Sequence, residues 1–90
     1  MRYRIVFRKF TLKNISPECR FLPNDEDCEI RLNALIENIS SIEGVLDVKS
    51  DDGIILVDTD EMTKEVLQEQ MKPFWSGVIC YWRFVSIESC

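Results

Sequence analysis

The chain has 90 residues, of which 46% are hydrophobic and 30% charged, and this composition excludes a disordered or collagen-like polypeptide. The formal net charge of −5 argues against non-specific nucleic-acid binding, which needs a positive surface. No apolar run is long enough to span a membrane, and the basic N-terminus lacks the apolar core of a signal peptide. We therefore expect a cytoplasmic protein with one domain, residues 1–90.

The first predicted element is a β-strand at 2–10, because the polarity of its side chains alternates. One face carries Tyr3, Ile5 and Phe7, and the other carries Arg2, Arg4, Val6 and Arg8. A long loop, 11–23, follows. Asn24 then predicts a helix N-cap, and Gly44 predicts the end of that helix. Between them, apolar residues spaced by threes and fours predict one buried stripe: Cys28, Leu32, Leu35, Ile36, Ile39 and Ile42.

Two short strands are predicted next, at 45–49 and 54–57, joined by a turn at 50–53 that ends in Asp-Gly. The second of these strands does not alternate, so we expect it to be buried on both faces or nearly so. A second helix begins at Thr59, Asp60 or Thr63 and ends at Pro73. Its predicted inner stripe is Met62, Val66, Leu67 and Met71, and a last strand is predicted at 77–87.

The predicted order is strand, helix, strand, strand, helix, strand. Crossovers of this kind place both helices on one face of a four-stranded antiparallel sheet. The sequence therefore predicts an α+β, ferredoxin-like βαββαβ fold.

The middle of the chain resembles the heavy-metal-associated domain family of small copper-chaperone modules. The matching positions are Cys28, Leu35, Ile39, Ile42, Gly44, Val45, Val48, Ile55, Val57, Asp58, Met62, Thr63, Leu67 and Met71. The resemblance implies the same fold and, in the family, a pair of metal-binding cysteines. Here Cys28 stands at the first ligand position, but Arg31 stands at the second. One thiolate cannot hold a soft cation as two do, so we expect no bound metal and no other cofactor.

The chain contains four cysteines, Cys19, Cys28, Cys80 and Cys90, and no histidine. Their spacing fits no zinc-binding pattern. Because no signal peptide is present, we expect free thiols, with Cys80 in the core.

Three observations predict a protein without catalytic activity. No histidine is present to activate a serine or cysteine nucleophile. The three glycines are too widely spaced for a phosphate-binding loop. The carboxylates lie at turns and helix starts, where capping explains them. RNA binding is not expected either, since the third strand lacks the aromatic residues that stack on bases.

The last predicted strand indicates a binding surface. One of its faces carries Val78, Cys80, Trp82 and Phe84, and the other carries Ile79, Tyr81, Val85 and Ile87. Only one face can meet the helices, so large apolar groups should remain beside the arginines of the first strand. Aromatic residues together with arginine are typical of binding hot spots. The predicted patch contains Arg2, Arg4, Arg8, Tyr81, Trp82 and Phe84; the alternative is that the 11–23 loop covers it.

A second candidate surface is acidic and lies on the first helix: Asp25, Glu26, Asp27, Glu29 and Glu37. Such a surface favours a basic partner. Together, the two surfaces predict a non-catalytic binding module that acts as an inhibitor or adaptor of a larger protein. One specific hypothesis is a phage-type inhibitor, such as an anti-CRISPR protein, whose carboxylates occupy the groove of a nucleic-acid-handling enzyme. The alternatives are a degenerate metal-chaperone-like domain and a regulatory domain that forms a homodimer through its sheet.

Overall fold

The computed structural model describes residues 1–10, 19, 24–51, 53–78 and 80–90. These residues form an α+β structure in which a four-stranded sheet has the order β2-β3-β1-β4 and every neighbouring pair is antiparallel. Along the chain the elements are β1 (Arg2–Lys9), α1 (Asp25–Ser40), β2 (Val45–Asp51), β3 (Ile54–Thr59), α2 (Lys64–Met71), a 3₁₀-helix (Lys72–Gly77) and β4 (Trp82–Ser89).

The core lies between one face of the sheet and the two helices. Tyr3, Ile5 and Phe7 are buried there, as the alternation of β1 predicts. The hydroxyl of Tyr3 donates a hydrogen bond to the carbonyl of Met62 at 2.6 Å, which ties β1 to the segment before α2. The buried residues from the other elements are Cys28, Leu32, Leu35, Ile39, Ile42, Ile55, Val57, Leu67, Met71, Val78, Trp82 and Ile87. The predicted stripe of α1 is thus confirmed, except that Ile36 is half-buried.

Both helices begin at a capping side chain. The Asn24 side chain accepts a hydrogen bond from the Asp27 amide at 2.7 Å, as predicted. Of the three candidates for α2, Thr63 is the N-cap, and its hydroxyl accepts from the amide of Val66 at 3.2 Å. Val66 itself is 47% exposed, so its predicted place in the inner stripe is wrong.

The hairpin between β2 and β3 requires glycine at position 53. Gly53 has a φ of +84°, and a Cβ atom there would approach the carbonyl oxygen of Phe7 to 2.7 Å. Only glycine fits both conditions without strain. The prediction of a turn glycine is confirmed, whereas Asp52, the other central residue of that turn, lies outside the described residues.

The third strand is buried on one face only. Ile55, Val57 and Thr59 are buried, but the alternate residues are half-buried. The prediction of burial on both faces or nearly so is thus confirmed in full only for the face that carries Ile55 and Val57, because both helices contribute their buried side chains to the core on that face.

The last strand differs most from its prediction. After α2 ends at Met71, the 3₁₀-helix continues to Gly77, and β4 begins only at Trp82. The register with β1 then shifts: Phe7 pairs with Phe84, but Val6 pairs with Ser86. Val85 is the extra residue of a β-bulge. Because cross-strand partners share a face, the bulge places both Phe84 and Ile87 on the helix side, opposite Phe7 and Ile5.

A disulfide joins Cys19 to Cys80, with the two Cα atoms 5.7 Å apart. The prediction of free thiols is wrong for this pair, and Cys80 is half-buried rather than part of the core. Cys28 is free and buried, and Cys90 is free and exposed. Apart from Cys19, the predicted 11–23 loop lies outside the described residues. In the described part of the chain, no helix has the length and apolar character needed to cross a membrane.

Candidate functional site

Five acidic residues lie on the exposed side of α1, and we call them the α1 acidic face: Asp25, Glu26, Asp27, Glu29 and Glu37. All five residues are exposed. Three of them occupy the first turn, where the positive end of the helix dipole stabilises carboxylates. Within the described residues, the only ion pair of this set joins Asp25 to the Lys9 ammonium at 3.0 Å. The other four carboxylates form no ion pair with any residue that the structure describes.

An aliphatic residue lies among these acids. Ile30 is 57% exposed although it is a large hydrophobic residue. Residues three, four and seven apart share a helix face, so Glu26 and Glu37 lie on the same side of α1 as Ile30. A partner that covers this face would bury the exposed apolar surface of Ile30 and would contact the carboxylates around it.

A cleft of about 290 Å³ opens where the start of α1 meets the β2–β3 turn. The Lys9–Asp25 ion pair lies at this cleft, and the Lys9 ammonium is 5.6 Å from the ring centroid of Trp82. The lining is Lys9, Asp25, Glu29, Leu32, Asn33, Ser50, Gly53 and Trp82. Because Glu29, Asn33 and Ser50 offer oxygen acceptors, the cleft suits a lysine or arginine side chain from a partner.

Tyr81 and Trp82, which were predicted to bind a partner, instead hold α1 against the sheet. Trp82 is buried, and its indole N–H donates to the carbonyl of Cys28 at 2.6 Å. The ring of Tyr81 lies 4.9 Å from the Arg31 guanidinium on α1. The Cys28 thiol donates to the carbonyl of Tyr81 at 3.8 Å. Burial raises the pKa of this thiol, which favours its protonated form.

The helix-free face of the sheet holds the predicted arginines without the predicted aromatic residues. Arg2 is engaged with Asp58, its Nε 2.7 Å from Oδ1. Arg4 and Arg8 are exposed, and neither forms an ion pair with an acid in the described residues. Arg8 pairs in register with Arg83, so two cations lie side by side.

The single aromatic and arginine patch therefore does not form. The register places Trp82 and Phe84 on the helix side, and the bulge at Val85 brings Ile87 to that side as well, so that none of these three large apolar groups remains beside the arginines as the alternation predicted. Half-buried aliphatic side chains fill the space between the arginines instead: Val6, Ile54 and Leu56. The alternative of a homodimer formed through the sheet stays a prediction.

Phe84 belongs to a cluster of three aromatic rings. Its ring centroid is 5.8 Å from that of Phe7 and 5.4 Å from that of Trp75, and Phe7 and Trp75 are 5.6 Å apart. Trp75 lies in the 3₁₀-helix, an element that no pattern in the sequence indicates. Pro73 marked the end of α2, but no periodicity indicated which way the apolar residues after it would face.

Comparison of the chain with protein-family models, curated proteins and solved structures found no match. The resemblance to heavy-metal-associated domains thus remains a prediction. In the part of the chain that the structure describes, no group of three or more cysteine, aspartate, glutamate or histidine side chains is arranged to hold a metal ion.

Proposed function

We propose that this protein is a small non-catalytic binding module that docks the α1 acidic face onto a basic surface of a larger protein. The observation that carries the proposal is the segregation of charge. Residues 24–44 and 60–72, which contain the two helices, hold ten acids and three bases, a net charge of −7. The bases are Arg31, Lys64 and Lys72, and the acids are Asp25, Glu26, Asp27, Glu29, Glu37, Glu43, Asp60, Glu61, Glu65 and Glu69.

Two local features support α1 as the docking element. Ile30 offers apolar area that a partner can bury, which supplies affinity, while the surrounding carboxylates supply charge selectivity. The adjacent cleft offers a place for one basic side chain between Glu29 and Ser50. An interface of this kind suits an inhibitor or adaptor whose carboxylates replace nucleic-acid phosphates in a basic groove. A phage-type inhibitor such as an anti-CRISPR protein is one form of this proposal.

The proposal includes a ferredoxin-like fold. The chain order β1-α1-β2-β3-α2-β4 and the sheet order β2-β3-β1-β4 support it. The 3₁₀-helix between α2 and β4 is an addition to that plan. In such a fold the sheet fixes the position of α1, so its outer side is a rigid recognition surface.

A pull-down with charge-reversed variants tests the proposed function. The test variant is Glu29→Lys with Glu37→Lys on α1. The matched control is Glu61→Lys with Glu65→Lys near the start of α2, which changes the net charge equally at two exposed positions. Proteins retained from a lysate of the source cells are quantified by mass spectrometry at about 0.1 M and about 1 M salt, where the Debye length falls from about 10 Å to about 3 Å.

We expect the pull-down to identify a protein that binds to the wild type and to the control variant but does not bind to the α1 variant. Its retention should also fall at high salt because attraction between charged surfaces is screened. Equal retention by the wild type and the α1 variant would show that the α1 acidic face is not the docking surface.

A further inference from the structure

A second concave site lies on the other side of Trp82, at the end of the sheet where β1 and β4 meet the 3₁₀-helix. It is a cavity of about 340 Å³. The described residues that line it are Phe7, Phe10, Trp75, Val78, Trp82, Arg83 and Phe84. Six of these seven residues are apolar, in contrast to the polar cleft beside α1.

The cavity has aromatic walls that are partly open to solvent. Phe10, Trp75 and Phe84 are each half-buried, so their rings present surface that the core does not cover. The three rings of Phe7, Trp75 and Phe84 lie with centroids 5.4 to 5.8 Å apart, which fixes their mutual orientation. An apolar cavity of roughly 150 Å³ holds a benzene-sized molecule, so this one has room for a short alkyl chain or a bicyclic ring.

Arg83 is the one charged residue among the described residues that line the cavity. It is exposed and forms no ion pair with any described acid. Its register partner on β1 is Arg8, another cation, and like charges in directly opposed positions repel. An anionic group bound at Arg83 would relieve this repulsion.

We propose that the cavity binds a small amphipathic carboxylate, whose apolar body contacts the aromatic rings and whose carboxylate pairs with Arg83. The apolar lining selects the body of the ligand, and the exposed guanidinium selects its anionic end. This site is independent of the proposed docking of α1, because no residue of the α1 acidic face lines it.

Intrinsic fluorescence gives a direct test. The chain has two tryptophans, Trp75 and Trp82, and both line the cavity. The probe is decanoate, which does not absorb at the wavelengths used for tryptophan, titrated into the full-length protein below its micelle concentration. Decanol serves as the neutral analogue with the same chain.

We expect decanoate to change the tryptophan emission saturably and to bind about fivefold more tightly than decanol, the upper range for an exposed ion pair. Arg83→Gln should remove this preference. The matched control, Arg4→Gln, removes the same charge from an exposed residue of β1 that neither lines the cavity nor pairs with Arg83, and it should preserve the preference. The absence of a saturable change, equal affinities for decanoate and decanol, or equal effects of the two variants would each overturn the proposal.

Discussion

Arg2 and Asp58 form the best-defined ion pair of the sheet. They lie on neighbouring strands, and the Arg2 guanidinium donates to both carboxylate oxygens, at 2.7 and 3.3 Å. These hydrogen bonds hold the pKa of Asp58 below its ordinary value and raise the pKa of Arg2. The pair thus ties β1 to β3 most strongly when Asp58 is ionised.

This pair predicts a pH dependence of stability. The pKa of Asp58 is lower in the folded than in the unfolded protein, where it is about 3.9. Asp58 therefore stabilises the fold at neutral pH, and its contribution disappears as the pH falls through the folded-state pKa. We expect Asp58→Asn to be less stable than the wild type at neutral pH and the difference to shrink below pH of about 4.

Urea unfolding over a series of pH values measures this difference. Asp51→Asn is the control, since Asp51 is exposed on the same face of the sheet and has no ion pair with any described residue. A difference between Asp58→Asn and the wild type that stays constant with pH would contradict the account.

Among the elements, β4 shows how one inserted residue decides which side chains reach the core. Phe84 and Ile87 are an odd number of positions apart, yet both pair with inward residues of β1. Val85 is the one extra residue that the bulge leaves unpaired, and it is 44% exposed. Without it, the sequence on either side would alternate regularly.

Deleting Val85 should therefore be tolerated. The deletion joins Phe84 to Ser86 and leaves Ile87 on the helix side, so the cost in unfolding free energy should be no more than about 1 kcal/mol. Deleting Arg83 instead makes Trp82 and Phe84 adjacent and forces one of them out of the core, at a cost of about 3 kcal/mol or more. Urea unfolding compares the two deletions, and equal losses would show that Val85 is not a removable bulge residue.

The difference between local signals and contacts of distant segments explains which elements could be predicted. The starts of both helices and the turn at Gly53 depend on local signals, namely a capping side chain or a backbone conformation that only glycine adopts easily. The bulge, the 3₁₀-helix and the burial of Trp82 depend on contacts between distant segments, which alternation in a single strand does not reveal. Tyr81 and Trp82 were assigned to a partner because the sequence cannot show that they contact α1.

The α1 acidic face could be predicted, since charged residues opposite an apolar stripe must face solvent. The cleft beside this face could not be predicted, because its lining combines residues of β1, α1, β2, β4 and the β2–β3 turn. The aromatic cavity was missed for the same reason: Trp75 reaches Phe7 and Phe84 only after the chain has folded.

At the scale of the whole molecule, the Cys19–Cys80 disulfide links two distant parts of the chain with a covalent bond. The two cysteines are 61 positions apart. A crosslink over that distance restricts the unfolded chain, and removing a native disulfide from a small domain costs about 2–5 kcal/mol. The sequence did not predict this pair because four cysteines permit three pairings and also the fully reduced state.

We expect Cys80→Ser to lower the unfolding free energy by about 2–5 kcal/mol. Cys90→Ser is the control, because Cys90 is free and exposed and its replacement should change little. Urea unfolding without reductant gives both values. Equal stability of Cys80→Ser and the wild type would mean that the crosslink does not stabilise the fold.

The charges of the whole molecule are distributed unevenly between its two sides. The segments that contain the helices carry a net negative charge, whereas Arg4, Arg8 and Arg83 lie on the sheet and form no ion pairs with described acids. We therefore expect a basic partner to be attracted to the helix side and not to the sheet. This orientation is the central claim of the proposed function.

Hydrogen exchange of the complex with the captured partner, read by mass spectrometry, tests this claim most directly. We expect the amides of residues 25–37 on α1, and those of Ser50 and Gly53 at the cleft, to exchange more slowly in the complex than in the free protein. Slower exchange confined to the strands that carry Arg4, Arg8 and Arg83, with α1 unchanged, would contradict it.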